Sequence, residues 1–126
     1  MAYLTVQVSV VINARGEEQL SETYKELSKI DKDRVSMVVA DLDTEEGRNK
    51  IIKSCPEADI LINNNSGPPP VNFLESDKDL WLKALDSNML SAIFMIKDLL
   101  PGMIDRKFGR IVNITSAMVK SPHPLM

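Results

Sequence analysis

Four short aliphatic runs, separated by stretches of helical periodicity, confine this chain to one class of fold. The runs are Met1 to Ala14, nearly continuous in β-branched side chains from Val8 to Ile12, then Val35 to Ala40, Asp59 to Asn63 and Arg110 to Ile114. Their cores are apolar without a polar alternation, as in strands buried on both faces. From Glu17 to Ile30 the residues Leu20, Tyr24, Leu27 and Ile30 recur at helical spacing. Thr44 is placed to cap a helix through Ile51, Ile52 and Cys55, with Glu45 and Glu46 near its positive end. Ser76, with Asp79 three residues on, forms a capping-box-like start to the longest helix, Asp77 to Arg106. Strands alternating with helices predict a mostly parallel sheet with right-handed crossovers.

The longest helix carries Trp81, Leu85, Met89, Ala92, Ile96 and Leu100 on one face, while Leu82, Leu90 and Phe94 lie away from that stripe. A second apolar face implies deeper burial or a partner helix. Pro101 is expected to kink or interrupt the helix near Lys97, since its ring removes a backbone donor and crowds the preceding turn. Gly109 is expected to permit the turn into the last strand.

A length of 126 residues, 44% of them hydrophobic, predicts a single folded domain over 1–126. The net charge of -3 and the scatter of the 15 basic residues argue against a nucleic-acid or anionic-membrane partner. One cysteine, Cys55, rules out an intramolecular disulfide and suits a reducing compartment. With no run of membrane-span length and no secretory leader pattern, a cytoplasmic location is expected. No zinc-ligand spacing, Walker loop or Gly-x-Ser-x-Gly elbow occurs, so no metal is expected. His123, the single histidine, lies in a tail from Ser121 that reads as irregular.

The stretch from Asp59 to Pro70 runs from a strand into a loop of three asparagines, a serine, a glycine and three prolines. In an open parallel sheet, ligands bind beyond the carboxyl ends of the strands, and the last strand also ends in hydroxyls at Thr115 and Ser116. Arg15 follows the first strand, where it can meet a phosphate or simply face water. Asp41 follows the second, where it can accept from an adenine amino group or cap the next turn. Asn88 stands inside the long helix, where an amide needs a partner, as a structural bridge or as support for a bound water.

In this order and spacing, Val11 to Arg15, Ala40-Asp41-Leu42, Asp59 to Gly67, Asn88 and Gly109 to Ala117 make the chain resemble the short-chain dehydrogenase/reductase family. The triple proline after the asparagine loop is similar to the 3-oxoacyl-acyl-carrier-protein reductase-like group. The resemblance implies a Rossmann-like, three-layer α/β/α fold with a mostly parallel sheet, incomplete relative to the family. It implies NADP-dependent reduction of a small-molecule carbonyl or acyl-carrier-linked substrate. Carried across, Arg15 favours the 2′-phosphate of NADP, Asp41 with Leu42 holds the adenine, and Asn64 stands beside the adenosine ribose. Ser116 orients the substrate carbonyl and Asn88 supports a proton-relay water.

The chain departs from the family pattern in three places. The usual Asn-Asn-Ala-Gly is Asn63-Asn64-Asn65-Ser66, with two bulkier side chains beside the cofactor approach. The glycine-rich turn that cradles the pyrophosphate has no counterpart before Val8, and the family's Tyr-x-x-x-Lys falls beyond Met126. The chain therefore looks truncated at both ends, and little or no turnover is expected from it alone. The absent first strand normally lies between the strands matching Val8 to Ile12 and Asp59 to Asn63. Its absence leaves unpaired backbone and predicts a homo-oligomer built through Met1 to Ile12 or the long helix. The alternative is a non-catalytic α/β oligomerisation or interaction module descended from the same family.

Overall fold

The computed structural model describes residues 8–65, 67, 71–116 and 120–121. The first residues of the predicted opening strand, and His123, lie outside them. The contacts divide the chain into two compact units, Met1–Pro56 and Glu57–Met126.

The first unit contains β1 (Val10–Ala14), α1 (Glu17–Ser28), β2 (Val35–Val39) and α2 (Glu45–Ser54). β1 and β2 pair in parallel, from Val10 opposite Val35 to Ala14 opposite Val39. Helix α1 packs on both strands, and Leu20, Val35, Val38 and Ala40 form the buried apolar set. Every residue of β1 is half-buried rather than enclosed on both faces as its composition suggests. Thr44 caps α2 as expected, its Oγ1 accepting from the Gly47 N–H at 3.0 Å. Cys55 closes that helix as its C-cap.

The second unit contains β3 (Ile60–Asn63), α3 (Lys78–Leu85), α4 (Ser91–Asp105) and β4 (Arg110–Asn113). β3 and β4 are parallel, with Ile60 opposite Arg110 and Asn63 opposite Asn113. Paired residues of a parallel ladder project to the same side. Leu61 is buried accordingly, while Ile60, Ile62 and Val112 share an exposed face. Arg106 ties the end of α4 to the start of β3, donating Nε to Asp59 Oδ1 at 3.1 Å and Nη2 to the Ala58 carbonyl at 3.0 Å.

Three local expectations change. Asp77, not Ser76, caps the long helix: its Oδ1 accepts from the Leu80 N–H at 2.8 Å, while Ser76 Oγ donates to the Phe73 carbonyl. The helix is interrupted not at Pro101, which lies within α4, but at a π turn over Asp86–Leu90. At its far end the left-handed residue is Lys107, with φ 56°, and the N–H groups of Lys107 and Phe108 satisfy the carbonyls of Ile104 and Met103. Gly109 has a different task, because a Cβ there would lie 2.7 Å from Met103 Cβ and Sδ.

The buried face of the long helix also differs from its most apolar stripe. Ser87, Ser91, Met95, Leu99 and Met103 are buried at four-residue spacing, whereas Trp81, Leu85, Met89 and Leu100 are exposed. The buried residues keep that spacing through the π turn, and the apolar stripe is exposed both before the turn and after it, so the difference is one of which face packs rather than a phase shift at the turn.

Candidate cofactor and substrate site

In the first unit the candidate residues follow the carboxyl ends of the two strands. Asn13, near the end of β1, donates through Nδ2 to the carbonyls of Val38 and Ala40 at 2.9 and 3.0 Å. That clamp fixes the chain just before Asp41. An asparagine within a run of aliphatic residues is the sequence signal for such a bond, because a part-buried amide needs partners.

Asp41 does cap the following turn, its Oδ1 accepting from the Asp43 N–H at 3.0 Å. Its backbone carbonyl accepts from Thr44 N–H and from Thr44 Oγ1, at 3.2 and 3.0 Å. The Leu42 carbonyl accepts from Arg48 at 2.8 Å, so Leu42 is held by its main chain. Arg15 is exposed immediately after β1 and beside Gly16, whose missing Cβ faces open space. An exposed guanidinium and a carboxylate on a fixed backbone thus follow the carboxyl ends of β1 and β2. No glycine-rich turn for a pyrophosphate occurs among the described residues.

In the second unit, an amide pair closes the carboxyl ends of β3 and β4. Asn63 Nδ2 donates to Asn113 Oδ1 at 2.8 Å, and the Ile114 N–H extends the ladder to the Asn63 carbonyl at 2.9 Å. From these neighbouring ends the chain continues to Asn64 on one side and Ser116 on the other, both exposed. Asn88 lies in the π turn, exposed rather than turned into the sheet, and donates through Nδ2 to the Ala84 carbonyl at 3.0 Å. A Cβ on Gly67 would lie 3.8 Å from Asn88 Oδ1, so the loop after β3 runs beside this residue.

Asn65, Ser87 and Ser91 were not singled out from the sequence as individual site residues, yet they join that loop to the helix. Asn65 Nδ2 donates to the Ser87 carbonyl at 2.9 Å, and Ser91 Oγ donates to the same carbonyl at 2.5 Å. The available signal was Asn65 standing where the family has alanine.

The family model described as short chain dehydrogenase matches residues 1–126. The chain belongs to this family. An uncharacterized oxidoreductase, YvaG of Bacillus subtilis, is 34% identical over 115 residues, covering 90% of this chain and 44% of that protein. The inactive hydroxysteroid dehydrogenase-like protein 1 of Homo sapiens is 29% identical over 124 residues, covering 93% of this chain and 37% of that one. Among solved structures, L-sorbose reductase of Gluconobacter frateurii in complex with NADPH and L-sorbose superposes with a TM-score of 0.84 at 26% identity. That match covers 93% of this chain and 46% of the reductase. The chain thus spans less than half the length of these family members, and it carries part of their Rossmann-type α/β fold. Among the described residues no helix is long and apolar enough to cross a membrane.

Proposed function

We propose that these residues serve NADP-dependent reduction of a small-molecule carbonyl, acyl-carrier-linked substrates included, in a cytoplasmic protein, and that this chain by itself turns over little or none. The observation that carries the reading is the amide pair Asn63 and Asn113, which sets the departure points of Asn64 and Ser116 side by side. Arg15 would hold the 2′-phosphate through charge-assisted hydrogen bonds. Asp41 and Leu42 would meet the adenine, and Asn64 the ribose. Ser116 would donate to the substrate carbonyl oxygen, and Asn88 would hold a water through the exposed face of its turn. A bound nicotinamide would supply the hydride. The structure of L-sorbose reductase in complex with NADPH and L-sorbose supports the cofactor part of this reading.

Isothermal titration with NADPH, NADP and NADH tests it. Binding is expected to favour the phosphorylated cofactors, and Arg15→Ala is expected to weaken NADPH binding about tenfold while leaving NADH unchanged, the scale of one charge-assisted hydrogen bond. Absence of heat at millimolar cofactor, or equal loss for both cofactors, overturns it.

A non-catalytic role as an oligomerising module is the second reading. Its support is that the described strands form two-stranded sheets, one in each unit, and that two relatives, of Pongo abelii and Homo sapiens, are named inactive. Two-stranded sheets are marginal alone, and open strand edges invite pairing with another chain. A homo-oligomer at micromolar concentration is expected in size-exclusion chromatography with light scattering, with a melting temperature that rises with protein concentration. A strictly monomeric species contradicts this second reading.

A further inference from the structure

The π turn at Asp86–Leu90 carries Asn88, and its hydrogen bonds identify what keeps the helix wide. The Ser91 N–H reaches back five residues to the Asp86 carbonyl, instead of four to Ser87. The Ser87 carbonyl accepts from the Asn65 side chain and from Ser91 Oγ, and Asn65 Nδ2 also stands 3.5 Å from that hydroxyl. Ser87 and Ser91 are 7% and 2% exposed, so this carbonyl has little recourse to water and depends on protein donors. Such single wide turns inside α-helices occur frequently at functional sites.

We propose that Asn65 is a positioning residue: by donating to the Ser87 carbonyl it holds the helix in its widened register and so sets the place of Asn88. The inference deepens the reductase reading, on which the role of Asn88 rests. The donor competes with the Ser91 N–H for one carbonyl. While Asn65 occupies it, the Ser91 N–H is directed to Asp86, and Asn88 keeps its angular place on the helix beside the Gly67 loop. Without the donor, the ordinary four-residue bond from Ser91 to Ser87 becomes the better choice, and the helix tightens through Asn88.

Nuclear magnetic resonance of the isotopically labelled 126-residue chain tests this through scalar couplings across hydrogen bonds. The wild type is expected to show coupling from the Asn65 side-chain nitrogen to the Ser87 carbonyl carbon, and from the Ser91 amide to that of Asp86. Asn65→Asp keeps the size but cannot donate, and Asn65→Ala removes the group. In both, the Ser91 coupling is expected to move to Ser87, and the Asn88 side-chain amide resonances to shift with it. Asn65→Gln, which retains a donor, is expected to keep the Asp86 coupling. Persistence of that coupling and of the Asn88 resonances in the Asp and Ala variants overturns the proposal. Should those variants fail to fold, the wild-type Asn65 to Ser87 coupling decides: its presence supports the proposal and its absence overturns it. Neither cofactor nor turnover enters this measurement, so a failed NADPH titration removes the reductase reading and leaves the register question to be answered separately.

Discussion

Gly47→Ala is expected to destabilise the first unit by ~1–3 kcal/mol, the range for overpacking a site that cannot relax. A Cβ on Gly47 would lie 1.9 Å from the Asp41 carbonyl oxygen, 2.7 Å from its carbon and 2.9 Å from the Asp41 nitrogen. These are backbone atoms, so no rotamer change relieves the contact. Moving Asp41 would also disturb the bonds its carbonyl accepts from Thr44, and Thr44 in turn caps α2 through the Gly47 N–H. A lower urea midpoint at unchanged slope is the expected observation. Gly16→Ala is the control: nothing lies within 4 Å of its added Cβ. At this N-cap of α1 the poorer capping by alanine, ~1 kcal/mol, is largely offset by the smaller freedom of the unfolded chain, ~0.4–1 kcal/mol, so a small net change is expected. Equal midpoints for the two variants would contradict the close approach of α2 to Asp41.

Leu99→Ala carries the other large expectation, a loss of ~2–5 kcal/mol from a lost buried side chain and the cavity left behind. Leu99 is 5% exposed, while the adjacent Leu100 is 38% exposed. Leu100→Ala should therefore cost distinctly less in the same urea titration. The pair discriminates between two faces of one helix. A stripe through Trp81, Leu85 and Leu100 as the true core would invert their order.

That contrast shows where the sequence is legible and where it stops. Continuous aliphatic runs located the four strands found among the described residues, their carboxyl ends to within a residue or so, because a strand with few polar side chains has one favourable environment. Thr44 was recognisable as a cap for a similarly local reason. The core face of the long helix was not, because apolar side chains lie on more than one of its faces and the buried one carries Ser87 and Ser91, and neither was its π turn. No residue type in Asp86-Ser87-Asn88-Met89-Leu90 announces that turn; part of the hydrogen bonding around it comes from Asn65, twenty-two residues earlier. Asp77 displaced Ser76 as cap because both can cap and only tertiary placement chooses between neighbours. Among the candidate residues, the places of Asp41 and Ser116 after strands and of Asn88 within the helix were legible, whereas the bonds of Asn13 and Asn65 were not, since they reach carbonyls distant in sequence.

The two ladders also differ in the length of chain each must close. β1 meets β2 across 25 residues, from Val10 to Val35, whereas β3 meets β4 across 50, from Ile60 to Arg110. Doubling the loop adds only ~0.6 kcal/mol of closure entropy, so thermodynamics hardly separates them. Chain order does. Every strand of the first ladder has been made once Val39 leaves the ribosome, whereas β3 must wait through two further helices for its partner. The second ladder is therefore the less local of the two, and pairing across the longer separation is expected to be the slower step of folding.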